Sequence, residues 1–192
     1  MTTSSPSTCQ ALTAPPQEYE QQEMAKRAIK KTNKTVLLTV EGYTEEAFVR
    51  HLKTIYTNRQ TPISSTVRNA RGYGPQGLRD AISAAIKTSP YDLLIGVLDS
   101  DIPIDAKDEK WFRQNKVHLI QSAPCIEATY LSIHGLKVPL NTAACKQAVA
   151  QHLPGDPTDG NFYTKHFAKL ILDKARARTA VLDELIKKLT TP

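Results

Sequence analysis

Short apolar runs alternate with amphipathic stretches along most of the chain. Runs rich in β-branched and aliphatic residues predict strands at Thr35–Val40, Ile63–Asn69 and Val117–Gln121. A fourth run, Asp92–Asp99, is continuously apolar between its two aspartates, which is typical of a strand buried on both faces. Because such runs lie between helical stretches, the pattern predicts an α/β fold with a central, mainly parallel β-sheet flanked by helices.

The stretches between these strands show apolar side chains at helical spacing. They predict helices at Glu45–Tyr56, from Leu78 onward, at Lys107–Asn115, Cys125–His134 and Ala143–His152, and one or two basic helices within Asn161–Leu189. In the first of these helices, Thr44 is suited to the N-cap position, and Glu45 and Glu46 are suited to the positive first turn. We therefore interpret both glutamates as helix-start residues.

Composition divides the chain into three segments. Residues 1–30, which begin with a stretch rich in Ser, Thr, Pro and Gln, predict a flexible N-terminal tail and lead-in. Residues 31–135 contain the predicted α/β core, and residues 136–192 form a basic, mainly helical C-terminal extension packed on that core. From Asn161 onward, seven lysines and arginines stand against three acids, so much of the net charge of +6 lies at this end.

The overall charge and the cysteine pattern limit the classes of function. A net charge of +6 and a pI near 9.2 favour a polyanionic partner such as nucleic acid. The sequence has neither a secretory signal nor an apolar run of about 18 residues, so we expect a cytoplasmic protein that does not enter a membrane. Cys9, Cys125 and Cys145 lack the spacing of a disulfide framework or a zinc site, and the histidines are too scattered to suggest a nucleophilic triad.

Three carboxylates follow the ends of predicted strands. Glu41 ends the first apolar run, and Asp99 and Asp101 end the fourth. The crevice of an open parallel sheet lies at the carboxyl ends of its strands, and side chains two residues apart in extended chain point to the same side. Gathered carboxylates repel one another unless a cation joins them, and hard oxygen ligands suit Mg²⁺ or Mn²⁺. The sequence therefore predicts a metal site formed by these three residues.

A glycine-rich stretch offers a different reading. Gly72 to Gly77 matches the pattern GxGxxG between a predicted strand and a predicted helix, with Asp99 at the end of the next strand. This is the pattern of dinucleotide binding, and it predicts that NAD or ATP would raise the melting temperature. The preceding strand is polar, however, and Pro75 stiffens the turn, so plain turn chemistry also explains the glycines.

The order of these motifs resembles a TOPRIM domain, in which a strand-ending Glu-Gly pair is followed by a later strand that ends in DxD. The matching residues are Glu41 in VEGYTEEAF and Asp99 and Asp101 in GVLDSDI. The segments SAPCIEATYLSIHG, which contains Glu127, and NFYTKHF, which contains Lys165, resemble more narrowly the RloB-like branch of these proteins. The resemblance extends from the first strand to the C-terminal helices.

The resemblance implies a Mg²⁺-dependent nuclease that acts on DNA or RNA. In such families the glutamate matching Glu41 is a general acid/base or a metal ligand, and the aspartates matching Asp99 and Asp101 hold the metal. Glu127 is a further candidate ligand, although a favourable charge in the first turn of a helix explains it equally well. The RloB-like branch is associated with bacterial defence loci, often beside an ATPase of the OLD or AAA type.

Basic residues are the candidate contacts to the nucleic-acid backbone, because phosphate contacts position a strand independently of its sequence. We select Arg71, Lys165 and Lys169 for this role, and Arg68 and Arg79 flank the glycine loop beside Arg71. Lys165 matches a basic position late in the family pattern. The alternative function is a binding subunit or effector that engages nucleic acid or an ATPase without cleaving anything.

Overall fold

The structure is a computed structural model that describes Met1 and residues 33–191. The predicted flexible tail, residues 1–30, lies outside the described residues apart from Met1, and so does Cys9. Residues 33–192 belong to one unit by their internal contacts, so the predicted core and the predicted C-terminal extension are not separate bodies.

Four parallel strands form the sheet in the described part of the chain. They are β1 (Lys34–Val40), β2 (Ile63–Asn69), β3 (Leu93–Asp99) and β4 (Val117–Ser122), and they lie in the order β2-β1-β3-β4. Each lies within one residue of the strand that the apolar pattern predicts. The predicted α/β fold with a parallel central sheet is confirmed.

Within residues 33–191, eight α-helices surround this sheet. They are α1 (Tyr43–Tyr56), α2 (Gly74–Thr88), α3 (Ala106–Gln114), α4 (Ile126–Ile133), α5 (Thr142–His152), α6 (Gly160–His166), α7 (Lys169–Ala175) and α8 (Ala180–Thr190). None of these helices is long and apolar enough to cross a membrane.

Three helix predictions need correction. α1 begins at Tyr43 with Gly42 as its N-cap, so Thr44 lies inside the first turn rather than at the N-cap position. α2 begins at Gly74 rather than at Leu78, because Pro75 occupies the first turn, where its missing N–H leaves no hydrogen bond unmade. The basic segment at the C-terminus forms the three helices α6, α7 and α8 rather than one or two.

Helices cover both faces of the sheet, as the continuous apolar strands predict. Alternate residues of β1 point to opposite faces, so Val36 and Leu38 pack against α1 and α4–α8, whereas Leu37 packs against α2 and α3. The larger core thus contains side chains from the predicted C-terminal extension, including Phe167 and Leu182. The extension is part of the layer that covers this face.

Candidate functional site

The strand order places the candidate site between β1 and β3. From β1, which lies inside the sheet, the chain proceeds to β2 on one side, and β3 then pairs with β1 on the other side. Ligands of open α/β sheets bind in the crevice at such a reversal, outside the carboxyl ends of the strands. Glu41 follows β1 at this point and Asp99 ends β3, so the sheet brings the two predicted residues to one crevice.

Backbone hydrogen bonds fix the position of Glu41. Its amide donates to the carbonyl oxygen of Val97 on β3 at 3.0 Å, and its own carbonyl accepts from the amide of Gly72 at 2.9 Å. Its Oε2 accepts from the amide of Asp99 at 3.3 Å. Burial raises the pKa of Glu41, and the Asp101 carboxylate adds to the shift, whereas the Asp99 amide opposes it.

Asp99 lies among the other carboxylates of the crevice. It follows Ile95 and Val97 on the face of β3 that α1 and α4 cover. Burial, reinforced by four neighbouring carboxylates, raises its pKa to about 8; these are Glu45, Glu127, Glu41 and Asp101. Its Oδ1 is buried and has no hydrogen-bond partner among the described residues. A buried carboxylate oxygen without a partner is costly, and a bound cation would remove that cost.

Glu45 belongs to this cluster, although sequence reasoning assigned it only to the helix start. Its Oε2 accepts from the amide of Gly42 at 3.0 Å, so the predicted helix-start role is confirmed. The side chain is also buried, and burial together with the Glu41 and Glu127 carboxylates raises its pKa. A signal was present in the sequence, because Glu45 falls on the same helical stripe as Phe48, Val49 and Leu52.

Glu46, its neighbour, faces the other way. Burial tends to raise the pKa of Glu46, but hydrogen bonds from Asn69 and Arg50 outweigh it, so the pKa is lowered. The amide of Asn69 donates to Oε2 and the guanidinium of Arg50 donates to Oε1, both at 2.8 Å. Glu46 is thus a paired carboxylate outside the crevice, as its interpretation as a helix-start residue predicts.

Glu127 enters the crevice from the first turn of α4. It is only 7% exposed, and its Oε2 has no hydrogen-bond partner in the described part of the chain. Burial, and then a hydrogen bond with Glu127, raise the pKa of the Cys125 thiol to about 12, so that thiol stays protonated beside the carboxylate. The predicted ligand therefore points a buried, unpaired oxygen toward Asp99 and Glu45, whose pKa values it raises.

Asp101 forms the exposed rim of the crevice. Its Oδ2 accepts from the hydroxyl of Thr142 at 2.7 Å, which ties it to the first residue of α5. Its negative charge adds to the burial that raises the pKa of Glu41. The predicted DxD pair is therefore brought together with Glu41, with Asp99 half-buried and Asp101 open to solvent.

A pair of phenols closes the back of the crevice. The hydroxyls of Tyr130 and Tyr163 lie 2.9 Å apart, and that of Tyr163 lies 3.0 Å from the carbonyl oxygen of Thr44 at the start of α1. Burial raises the pKa of both phenols, so they remain neutral. They hold the first turn of α1, and with it Glu45, against α4 and α6.

The donors of this crevice suit a hard cation, although they do not converge on one point. All five are carboxylates, the ligand type that Mg²⁺ and Mn²⁺ prefer, and two of them carry buried oxygens without partners. Among the described residues, no three His, Cys, Asp or Glu side chains are arranged so that they could hold one metal ion. Coordination would therefore require rotation of side chains at the rim.

The predicted phosphate contacts fall into two groups. Arg71 is exposed next to the crevice, since the amide of the following Gly72 bonds to Glu41. Lys165 is exposed on α6, and Lys169 lies beside Tyr56, about 16 Å from Glu45 along the axis of α1. Lys169 also pairs with Asp173 at 2.6 Å. Arg71 is therefore brought next to the carboxylates, whereas Lys169 is engaged by Asp173.

The glycine-rich stretch does not occupy the place that dinucleotide binding requires. The strand before it, β2, is an edge strand of the described sheet, whereas the phosphate turn of a dinucleotide fold follows a strand at the reversal of strand order. Gly74 and Gly77 already belong to the first turns of α2. The neighbouring Arg79 is engaged by Asp80 and Asp108 rather than free for a phosphate.

Comparisons with known proteins leave the site to be judged on its own geometry. No protein-family model, curated protein or solved structure matches this chain. The function of the site is therefore inferred from the residues of the crevice and from the resemblance of its motifs.

Proposed function

We propose that the protein is a metal-dependent nuclease of TOPRIM type that hydrolyses phosphodiesters in DNA or RNA. One observation carries the proposal: Asp99 and Glu127 each present a buried, unpartnered carboxylate oxygen in a crevice with three further carboxylates, at the strand-order reversal of a parallel sheet. Acids gathered in this way lower the stability of the protein unless they serve a cation. The motif order Glu-Gly followed by DxD supports the same reading.

The carboxylates divide into three roles. Asp99, Asp101 and Glu127 hold Mg²⁺ or Mn²⁺, with Glu41 as a fourth ligand or as the proton-transfer group. The bound metal supplies charge neutralisation on the phosphoryl oxygens and activation of a water molecule. Glu45 fixes the turn after Glu41 by accepting from the Gly42 amide and adds negative charge behind the ligands.

The raised pKa of Glu41 supports its role in proton transfer. General acid/base catalysis is most efficient when the pKa of the group lies near the working pH. Burial moves the pKa of Glu41 in that direction, and the amide of Asp99 holds one carboxylate oxygen in place while the other stays available. Glu41 is therefore the group that takes a proton from the attacking water or gives one to the leaving oxygen.

The biological setting follows from the resemblance alone. The RloB-like pattern around Glu127 and Lys165 suggests a role in bacterial antiviral defence in the cytoplasm, with an ATPase of the OLD or AAA type as a partner. The net charge of +6 supports nucleic acid as the substrate.

Cleavage assays with matched variants test the proposal. Full-length protein is incubated with Mg²⁺ or Mn²⁺ and a panel of plasmid, single-stranded DNA and total tRNA. We expect cleavage of at least one substrate, loss of cleavage in Asp99→Asn, Asp101→Ala and Glu41→Gln, and unchanged circular dichroism in all three. Glu109→Gln is the matched control, since Glu109 is exposed in the first turn of α3 and lies outside the crevice. Equal cleavage by wild type and Asp99→Asn would refute the assignment.

The alternative is a subunit that binds nucleic acid or an ATPase without cleaving a substrate. The arrangement of the ligands favours it, because no three of them converge within residues 33–191. Binding that depends on salt, is unchanged by Mg²⁺ and gives no turnover would establish this alternative.

A further inference from the structure

A furrow runs along the β2 side of the carboxylate crevice. One part, of about 360 Å³, is lined by side chains of α1, β2 and α2, among them Tyr43, Arg50, Arg68 and Arg71. A second part, of about 410 Å³, continues from it across Ala81 and ends beneath Tyr73. The furrow reaches the crevice through Tyr43, which follows Glu41 by two residues.

Two tyrosines project from the borders of this furrow. Tyr73 is 87% exposed and Tyr43 is 61% exposed, whereas Tyr130 and Tyr163 are fully buried. Neither exposed ring makes a ring–ring contact with a described residue. The hydrogen bond between Gly72 and Glu41 keeps the Cα atoms of Tyr43 and Tyr73 within about 15 Å of each other. Two exposed tyrosine side chains are therefore held near each other beside the crevice.

The backbone that carries Tyr73 adopts a conformation that ordinary residues avoid. Arg71, Gly72, Tyr73 and Gly74 all have positive φ, at 61°, 89°, 68° and 56°. Side chains are disfavoured in this region of φ, and such residues cluster at functional sites. Glycine is required at Gly77, where a Cβ atom would lie 2.1 Å from the Gly72 carbonyl oxygen.

The furrow is lined by the arginines Arg50, Arg68 and Arg71 and by the acids Glu46 and Asp80. Glu46 neutralises Arg50 at 2.7 Å, and Asp80 pairs with Arg79. Arg68 and Arg71 are exposed and form no ion pair with any described residue. Arg68 lies on the edge strand and Arg71 lies two residues beyond its end, so these two guanidinium groups follow the line of the furrow toward Glu41.

We propose that this furrow binds single-stranded nucleic acid and leads it into the carboxylate crevice. Tyr43 and Tyr73 stack on bases, and Arg68 and Arg71 contact phosphates. The proposal rests on the proposed function for its substrate, but it adds the strand type and the residues that select it. It also gives the glycine-rich stretch a role, which is to present Arg71 and Tyr73.

The chemistry of the furrow selects a single strand rather than a duplex. Unpaired bases can turn their faces toward aromatic side chains, whereas the bases of a duplex are already stacked. Each base–tyrosine contact adds to the affinity and tolerates any sequence. Phosphate contacts alone would hold a duplex equally well.

Fluorescence anisotropy with the full-length protein tests the proposal. The probes are a labelled single strand of about 20 nucleotides, as DNA and as RNA, and the matching duplexes, with EDTA present to prevent cleavage. We expect one of the single strands to bind at least about tenfold more tightly than its duplex. Tyr43→Ala and Tyr73→Asn each weaken that binding at least about fivefold, and Asn tolerates the backbone of residue 73. Tyr43→Phe and Tyr73→Phe retain the aromatic face and bind within about twofold of wild type.

Matched arginine variants separate specific contacts from general charge. Arg68→Ala lowers the slope of log affinity against log salt by about 0.7, as expected for one phosphate contact to a single strand. Arg113→Ala removes the same charge from an exposed position on α3 and leaves the slope unchanged. Duplex binding as tight as single-strand binding, or wild-type affinity in both tyrosine-to-small variants, overturns the proposal.

The outcomes distinguish this proposal from the proposed nuclease. Tyrosine-dependent binding of a single strand without any metal-dependent cleavage supports the furrow and refutes the nuclease. Metal-dependent cleavage that Tyr43→Ala and Tyr73→Asn leave unchanged supports the nuclease and refutes the furrow.

Discussion

Charged side chains are concentrated in two regions of the molecule. In one region the pKa of a carboxyl group is lowered, and in the other it is raised. In the C-terminal helices α7 and α8, acids lie beside bases: Asp183 pairs with Arg176 at 2.8 Å and with Lys187 at 2.6 Å. Hydrogen bonds from these two bases lower the pKa of Asp183. In the crevice, acids lie beside acids, and the pKa of Asp99 rises to about 8.

The difference shows why counts of charge along the sequence are a poor guide to the site. The C-terminal segment has the larger net charge, yet several of its charges are satisfied by neighbours within one or two helical turns, which is ordinary for a solvated surface. The crevice draws its five carboxylates from three separate stretches of the sequence and leaves two of their oxygens without partners among the described residues. Unpaired charge in a buried place, rather than abundant charge, is what marks a functional region.

The largest expected effect comes from removing one buried, unpaired charge. Glu127→Gln keeps the shape of the side chain but removes a metal ligand, so metal-dependent cleavage should fall about 100-fold. Because the buried Oε2 of Glu127 has no hydrogen-bond partner among the described residues, the melting temperature without metal should not fall. Cleavage rates and thermal unfolding monitored by circular dichroism measure the two effects. A variant that cleaves normally but melts lower would make Glu127 a structural residue.

The raised pKa of Asp99 predicts how the stability of the metal-free protein depends on pH. The folded protein holds a proton on Asp99 up to about pH 8, whereas the unfolded chain releases it near pH 4, so unfolding becomes easier as the pH rises between these values. Asp99→Asn removes this loss and should raise the melting temperature at pH 8 by about 4 °C. Thermal scans in EDTA from pH 5 to pH 8 measure it. A wild-type melting temperature that rises steadily over this range would contradict the electrostatic picture of the crevice.

The paired region should show the reverse behaviour on a smaller scale. Asp183→Asn removes two ion pairs, so the melting temperature at pH 7 should fall by about 2 °C, and the difference should shrink in about 1 M salt. Because the pKa of Asp183 is lowered, its contribution is present above about pH 4 and is lost as the pH falls through the folded-state value. An increase in melting temperature on this substitution would mean that the Asp183 carboxylate destabilises the protein, as the Asp99 carboxylate is expected to do.

The smallest expected effect separates the two lysines predicted to contact nucleic acid. Lys169 is held by Asp173 and lies 5.0 Å from the centre of the Tyr56 ring, whereas Lys165 has no ion pair among the described residues. Lys165→Ala should weaken binding of a labelled single strand about twofold to threefold, and Lys169→Ala should weaken it less. Equal losses from both variants would mean that the basic helices bind as one surface.

The sequence predicts the sheet and most of the site because both depend on local signals. Apolar runs end where the strands end, and Glu41 and Asp99 occupy those ends. It also predicts Glu127 through the resemblance. The presence of Glu45 in the crevice is harder to predict, because a helix-start role already explains a glutamate at this position. Only the structure shows that the buried stripe of α1 places Glu45 beside the other carboxylates.

The ends of the C-terminal helices could not be predicted from the local sequence, and the reason is physical. No glycine or proline occurs between Asn161 and Thr191, so nothing in that stretch marks a helix end. Tertiary contacts impose the breaks instead. Phe167 leaves α6 to pack 5.1 Å from the Tyr130 ring, and His51 bonds to its carbonyl oxygen at 2.9 Å. Arg178 bonds to the carbonyl oxygen of Ser132 at 3.1 Å and thereby ends the next turn.

The hydrogen bond from Thr142 to Asp101 has a consequence for how the protein could be divided or inherited. A truncated chain that stopped at Gly135 would lose the hydroxyl that holds the rim carboxylate, together with Tyr163 and the apolar cover of α1. The segments that contain Glu41, Asp99 and Asp101 would remain in the sequence, yet the surface they form would not. Selection on the chemistry of Asp101 therefore acts equally on residues after Gly135, and the two segments are expected to persist or disappear together.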